Sequence, residues 1–448
     1  MATITISNAG GKWGEAGTWV GGVIPTAADD VVAASTSGPL TIPTAYEAVC
    51  RSLDLALYGA KTFKTEGTGK LLIGNSEAPP EGRALRLSAA MTITPSSTGE
   101  LNFVSTSVAT QTIELAGKTL SAGKQRFSGA GSVYKCIGAT TLSEIVLSKG
   151  ELNTNGQVVT ATNLVIGGTE TKVFNFESTT LKLTKATGLL LNIESATGTT
   201  VKATGSTLIL APASGTSEFR GAGFTFGNLR FAGPGNVTFT ASSGSLTFQK
   251  MEFAEGAAGT VVKFGAEKTY TASEVVGNGQ AGKLITIEST TAGKAAVLKV
   301  ATGTVSQDYL SLKDSKAEGG AAFYAGEHST NVSGNSGWTF TAPEKAPTCT
   351  TGEAPPVISA DLLGSINPNG AATEVHFEWG TTEAYGSSTP AQAIGSGHSA
   401  VAVSALVTGL VAATEYHFRV VAINAKGTVD GKDQAFTASG GAVVSVVL

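Results

Sequence analysis

The chain has 448 residues, a formal net charge of -4, 57 glycines and only 14% charged residues. Glycine is close to double its usual ~7% share and charge falls well below the usual ~25%, which excludes an ordinary helix-rich domain and points to an all-β protein. Slight acidity without a Lys/Arg cluster argues against a nucleic-acid surface, and no apolar run nears the ~18 residues of a membrane-spanning helix.

Cys50, Cys136 and Cys349 are odd in number and far apart. They fit neither a disulfide framework nor a zinc pattern and read as free thiols of a protein made in a reducing compartment. The first residues show no basic and apolar leader, so no signal peptide is expected. Only a few short segments, such as Thr44 to Leu57, could be read as helical.

Residues 1–48 carry Trp13 and Trp19 in a glycine-rich loop, then Pro25 and the run Asp29-Asp30-Val31-Val32. An open solenoid end exposes apolar core and must be capped, so this segment is expected to plug one. Asp29 and Asp30 are adjacent, point to opposite faces of a strand and make a poor acid–base pair.

From 49 to 341, strand-like triplets alternate with Gly, Asn and Ser turns. The run from Phe226 to Ala232 recurs from Phe248 to Ala254 with a period of 22, and Tyr270 falls one period further on. A second repeat has a period of 17: Phe176-Glu177-Ser178 returns as Ile193-Glu194-Ser195. Apolar residues at i and i+2 mark strands with one buried face. Self-similarity at about 20 residues marks a stacked solenoid, here a right-handed parallel β-helix of roughly a dozen coils. Trp338 and Phe340 are expected to plug its far end.

Residues 342–356 hold Pro343, Pro347, Pro355 and Pro356 and read as a semi-rigid linker. Residues 357–439 change character. Val375-His-Phe377-Glu-Trp379 and Tyr416-His-Phe418-Arg-Val420 alternate with period 2, as sandwich strands should. Leu410 and Tyr416 match a tyrosine-corner arrangement. Residues 440–448 end in Val443, Val444, Val446, Val447 and Leu448, a short apolar strand suited to adding onto a neighbour's sheet edge.

The run from Asn367-Pro-Asn-Gly370 through Trp379-Gly-Thr-Thr382, Thr414-Glu-Tyr416-His-Phe-Arg419 and Asn424-Ala-Lys-Gly427 resembles a fibronectin type III domain of the kind found in actinobacterial and actinobacteriophage proteins. The Trp13…Trp19…Pro25 segment, the coil Gly150-Glu-Leu152-Asn-Thr-Asn-Gly156, the coil around Asn228-Leu229 and the closing stretch Asp308 to Phe340 together resemble β-helical minor tail and tail-appendage proteins of tailed bacteriophages. The resemblance implies a structural virion protein, a spacer with an adhesion or docking module, found in the tail or an appendage. Other virion proteins, a host-surface glycan and copies of the chain, by analogy a trimer, are the partners it implies.

Little in the chain suggests chemistry. No histidine occurs before His328, so residues 1–327 of the rod have no imidazole base. Gly69-Lys70 and Gly117-Lys118-Thr119 lack the upstream glycine of a phosphate loop. No cofactor or metal motif is present. Glycosidic cleavage needs two carboxyls about 5 to 9 Å apart, which neighbouring coils can supply at ~4.8 Å spacing. Glu177 and Glu194, equivalent in the 17-residue repeat, and Glu288 in a similar local sequence are the candidates. They also read as solvated turn residues, and sparse aromatics argue against a sugar cleft. The expectation is therefore a non-enzymatic appendage, with a polysaccharide-degrading tailspike and a bacterial surface adhesin as the alternatives.

Overall fold

The computed structural model describes residues 1–240, 244–354 and 360–438, without the side chains of 121 and 122. The chain divides into two compact units, Met1–Phe340 and Thr341–Leu448. It is all-β, with 2% helix and 50% strand. No helix among the described residues is long and apolar enough to cross a membrane.

The first unit is a parallel β-solenoid of about 14 turns, slightly more than the dozen expected. A full turn lays extended chain along each of three faces. In one turn the strands are Lys172–Asn175, Thr180–Leu183 and Gly188–Ile193. Each pairs in parallel with its counterpart on the next turn, at Thr199–Lys202, Thr207–Leu210 and Thr216–Arg220. The reason is local. In Thr180–Leu183 the leucines at alternate positions are buried and Lys182 is exposed, so the strand has one face to hide and finds cover only in its neighbours. Buried side chains from Ile4 to Ala325 form a single continuous cluster.

Aromatic rings stack along this core. Phe231 lies 4.9 Å from Phe253 with ring planes 11° apart, and their strands pair at the longer of the two periods visible in the sequence. That period does not carry on to Tyr270, which pairs with Leu246. It packs beside Phe264 and Phe239 instead.

Two other expectations need correction. Thr44 to Leu57 holds no helix: Glu47–Cys50 and Ser52–Asp54 are strands on adjoining faces. Ala48, Cys50, Leu53 and Leu55 all point inward. The corner at Arg51 breaks the phase of the alternation, and a period-2 pattern with a skipped step imitates a helical one. The segment 1–48, expected as a cap, is already part of the stack. Thr3–Thr5 pairs with Asp30–Val32, which pairs with Ser52–Asp54, all in parallel. Its loop does fill core: Trp13 and Trp19 are buried and meet edge to face at 5.0 Å. Burial leaves neither ring free to stack on a sugar. Asp29 closes the turn at Thr26, whereas Asp30 binds Ser52 and Arg51.

The second unit has two antiparallel sheets. One holds Thr348–Thr351, Ala360–Asn367 and Val401–Val407. The other is built on Thr373–Gly380 and Glu415–Asn424, with shorter strands beside them. A separate cluster including Leu362, Val375, Phe377, Phe418 and Val420 fills the core. Thr348–Thr351 lies inside the stretch expected to be linker. Pro347 precedes this strand rather than interrupting it, so its amides stay free to pair. The backbone N–H of Val411 donates to the Tyr416 hydroxyl at 3.1 Å, the contact expected of a tyrosine corner. Val443, Val444, Val446, Val447 and Leu448 lie outside the described residues.

Candidate functional site

The three carboxylates singled out from the rod do not converge. Around them one turn of the solenoid is longer than the 17-residue repeat: Asn175 pairs with Lys202 and Ile166 with Ile193. Glu177 and Glu194 therefore belong to the same turn. Glu177 follows the strand Lys172–Asn175 and Glu194 follows Gly188–Ile193, so they occupy different corners. Both are exposed. Glu194 lies over Gly167 of the preceding turn, in space a β-carbon there would need. Glu288 sits on the face of Gly188–Ile193, but four strand steps along, on the order of 19 Å. That exceeds the separation two glycosidase carboxyls tolerate. Its neighbours in register are Lys263 and Lys313, and Lys263 Nζ lies 2.8 Å from its carboxylate.

Glu177 does line a groove on the side of the rod. Lys202, Thr225, Thr247, Gln249 and Ser273 continue it along successive turns. Among the described residues Glu177 is the one carboxylate on its wall, with no second acid to complete a hydrolytic pair.

Near the end of the rod, His328 stacks on Tyr309, with centroids 4.6 Å apart and planes within 8°. Its Nδ1 lies 2.7 Å from Asp308 Oδ2. Partial burial would raise the Asp308 pKa, but hydrogen bonds from the imidazole and from the amides of His328 and Tyr309 outweigh it and hold the carboxyl low.

A polar network lies in the second unit, on the outer face of its larger sheet. Alternation dictates its membership. With Tyr416, Phe418 and Val420 in the core, His417 and Arg419 must point outward. The same holds for Glu378, between Phe377 and the partly buried Trp379. Glu378 and Arg419 are cross-strand partners. Arg419 Nε and Nη2 each lie 2.8 Å from Glu378 Oε2, and Nη1 lies 2.8 Å from Asp430. The guanidinium covers the Tyr385 ring at 5.0 Å. The Tyr385 hydroxyl donates to Asp433 Oδ1 at 3.0 Å, and His417 Nδ1 lies 2.8 Å from Asp433 Oδ2.

The turn carrying Glu383 and Tyr385 folds down onto the sheet. Gly380 permits this, because a β-carbon at 380 would overlap the Tyr385 carbonyl. Gly380 is also the cross-strand partner of His417. Donor atoms of Glu383, His417 and Asp433 thus come within 4.8 Å of one another.

The electrostatics follow from this crowding. The hydrogen bond to Asp433 raises the His417 pKa, with Glu415 and Glu383 adding to it. Burial, then the hydrogen bond to Asp433, pushes the Tyr385 hydroxyl up to about 12. Burial works against the charge on Arg419, but Glu378 and Asp430 hold it in place.

Period-2 alternation in Val375-His-Phe377-Glu and Tyr416-His-Phe418-Arg was signal enough to place His417, Arg419 and Glu378 on one outer face. Glu383 and Asp433 carried no such signal, since they arrive from turns. No family model matches the chain, and no curated protein or solved structure matches it either.

Proposed function

We propose that the chain is a structural protein of a tailed phage, a minor tail protein or tail appendage. The rod serves as spacer and the C-terminal unit as adhesion or docking module. The observation that carries this reading is the unbroken stack of about 14 turns. At ~4.8 Å per turn it amounts to roughly 65 Å of rigid spacer. Charged side chains on its flanks are paired between turns, as in Lys263–Glu288, Arg230–Glu252 and Lys250–Glu274. Such a surface suits reach more than chemistry. The residues resembling phage tail appendages supply the context.

In this reading the rod is right-handed, as parallel crossovers prefer, and the second unit is a fibronectin type III-like sandwich. Its two antiparallel sheets and the Tyr416–Val411 contact support that assignment. Copies of the chain associate, with a trimer favoured by analogy, and the partners are other virion proteins and a host-surface glycan.

The test is to probe purified particles from the encoding phage or prophage with antiserum to the chain, and to sediment the full chain with host cells. Labelled tails, and cell binding lost from residues 1–340 alone, are expected. Particles free of the chain would overturn the assignment.

A second reading, glycan cleavage on the side of the rod, is favoured by Glu177 on its lateral groove. Reducing-end release from host glycan that vanishes in Glu177→Gln would establish it over the first.

A further inference from the structure

We propose that Glu383, His417 and Asp433 bind a divalent transition-metal cation of the zinc type. The three side chains offer one nitrogen and two carboxylate oxygens within 4.8 Å of one another. Ligand atoms sharing a Zn²⁺ at ~2.1 Å stand roughly 3.4 Å apart in a tetrahedron, so His417 Nδ1 and Asp433 Oδ2, 2.8 Å apart, open slightly while Glu383 closes by up to ~1.4 Å. Glu383, a long side chain on an exposed turn, is the one free to move. An imidazole among the ligands selects against calcium and magnesium, which take oxygen donors.

Three features prepare the site. The Tyr385 hydroxyl holds one oxygen of Asp433 and leaves the other facing His417, the outer-sphere support that metal-ligating carboxylates usually receive. The absence of a side chain at Gly380, opposite His417, lets the Glu383 turn descend onto the sheet. Charge favours a cation as well. The Arg419 guanidinium is committed to Glu378 and Asp430. Asp433 and Glu383 are left facing the imidazole. A metal ion needs these ligands deprotonated, so its binding releases protons to solvent. Protein supplies three ligands, and water completes the coordination at the exposed side. The ion would tie the turn bearing Glu383 to the strand bearing His417 and to the segment bearing Asp433.

The experiment is calorimetric titration of ZnCl₂ into the full-length, untagged chain after treatment with EDTA, at pH about 7.5 in two buffers of different ionisation enthalpy. One ion per chain, binding in the micromolar range with proton release, is expected, together with a higher melting temperature. Asp433→Asn and His417→Ala should weaken binding at least tenfold, and Glu383→Gln about tenfold. His328→Ala, on the other unit, should leave it intact. Millimolar Mg²⁺ or Ca²⁺ should not compete. Glu383 and His328 lie at the surface, so those two variants remain informative even if His417→Ala disturbs the sheet. Absence of saturable binding at millimolar zinc, or binding equally tight in Glu383→Gln and Asp433→Asn, overturns the proposal.

Discussion

Lys263 and Glu288 stand in one column on successive turns of the rod, and Nζ lies 2.8 Å from the carboxylate. Lys313 follows on the next turn. The same face carries a longer alternating column of Glu47, Lys70, Glu100, Lys124 and Glu144. Parallel stacking brings like positions together, so alternation of sign is what keeps such a column from repelling itself. Each half-exposed pair contributes only ~0.2–1 kcal/mol. The columns act more on register, because a slip by one turn would set like charges opposite one another.

Glu288→Lys therefore lines up three ammonium groups. It is expected to cost about 1 kcal/mol, to show as a lower denaturation midpoint for the rod, and to recover in high salt. Glu288→Gln should cost less. A salt-insensitive loss would show that something other than the column is at work.

Phe239 is fully buried and touches four rings, with Phe219 at 4.7 Å, Phe264 at 5.1 Å, Tyr270 at 5.5 Å and Phe231 at 6.1 Å. Phe239→Ala should destabilise the rod by about 3–5 kcal/mol. In a solenoid each turn leans on its neighbours, so faster amide exchange is expected in the turns holding Phe219 and Phe264 before it spreads. Exchange unchanged in those turns would contradict this.

The His417–Asp433 contact makes the second unit sensitive to pH. Asp433 raises the folded-state pKa of His417 above its ordinary value near 6.5. The contribution is complete below that ordinary value and is lost as pH rises through the higher folded-state value. In metal-free solution the melting temperature of this unit should fall across that window. Asp433→Asn should remove the slope, and His417→Gln should do the same. A slope that survives both would place its origin elsewhere.

The association of copies proposed above gives the sequence run Val443 to Leu448 a role that can be tested. Three or four aliphatic side chains added to a neighbour's sheet would each contribute ~1.5 kcal/mol or more. Sedimentation of the full chain should give an oligomer, and deletion of 440–448 should reduce its mass or its incorporation into particles. A monodisperse monomer unaffected by the deletion in mass or incorporation would exclude that role.

Much of the architecture was legible in the sequence because it rests on local rules. Alternating apolar residues between glycines can only build strands with one face to bury, and the repeat that carries Phe231 onto Phe253 is a true register. Tyr416 announced its corner, and alternation placed His417 and Arg419 on the outside. The tertiary structure alone decided which residues share a column. Glu144 meets Asn163 after a short turn, whereas Lys70 meets Glu100 after a much longer one. The 17-residue likeness of Glu177 and Glu194 therefore joined two corners of one turn, and Tyr270 met Leu246. The meeting of Tyr385 with Asp433, 48 residues apart, was equally hidden. The core requires only that inward side chains stack, so corners and turns lengthen or shorten without disturbing it, and sequence spacing alone does not fix what meets on the surface.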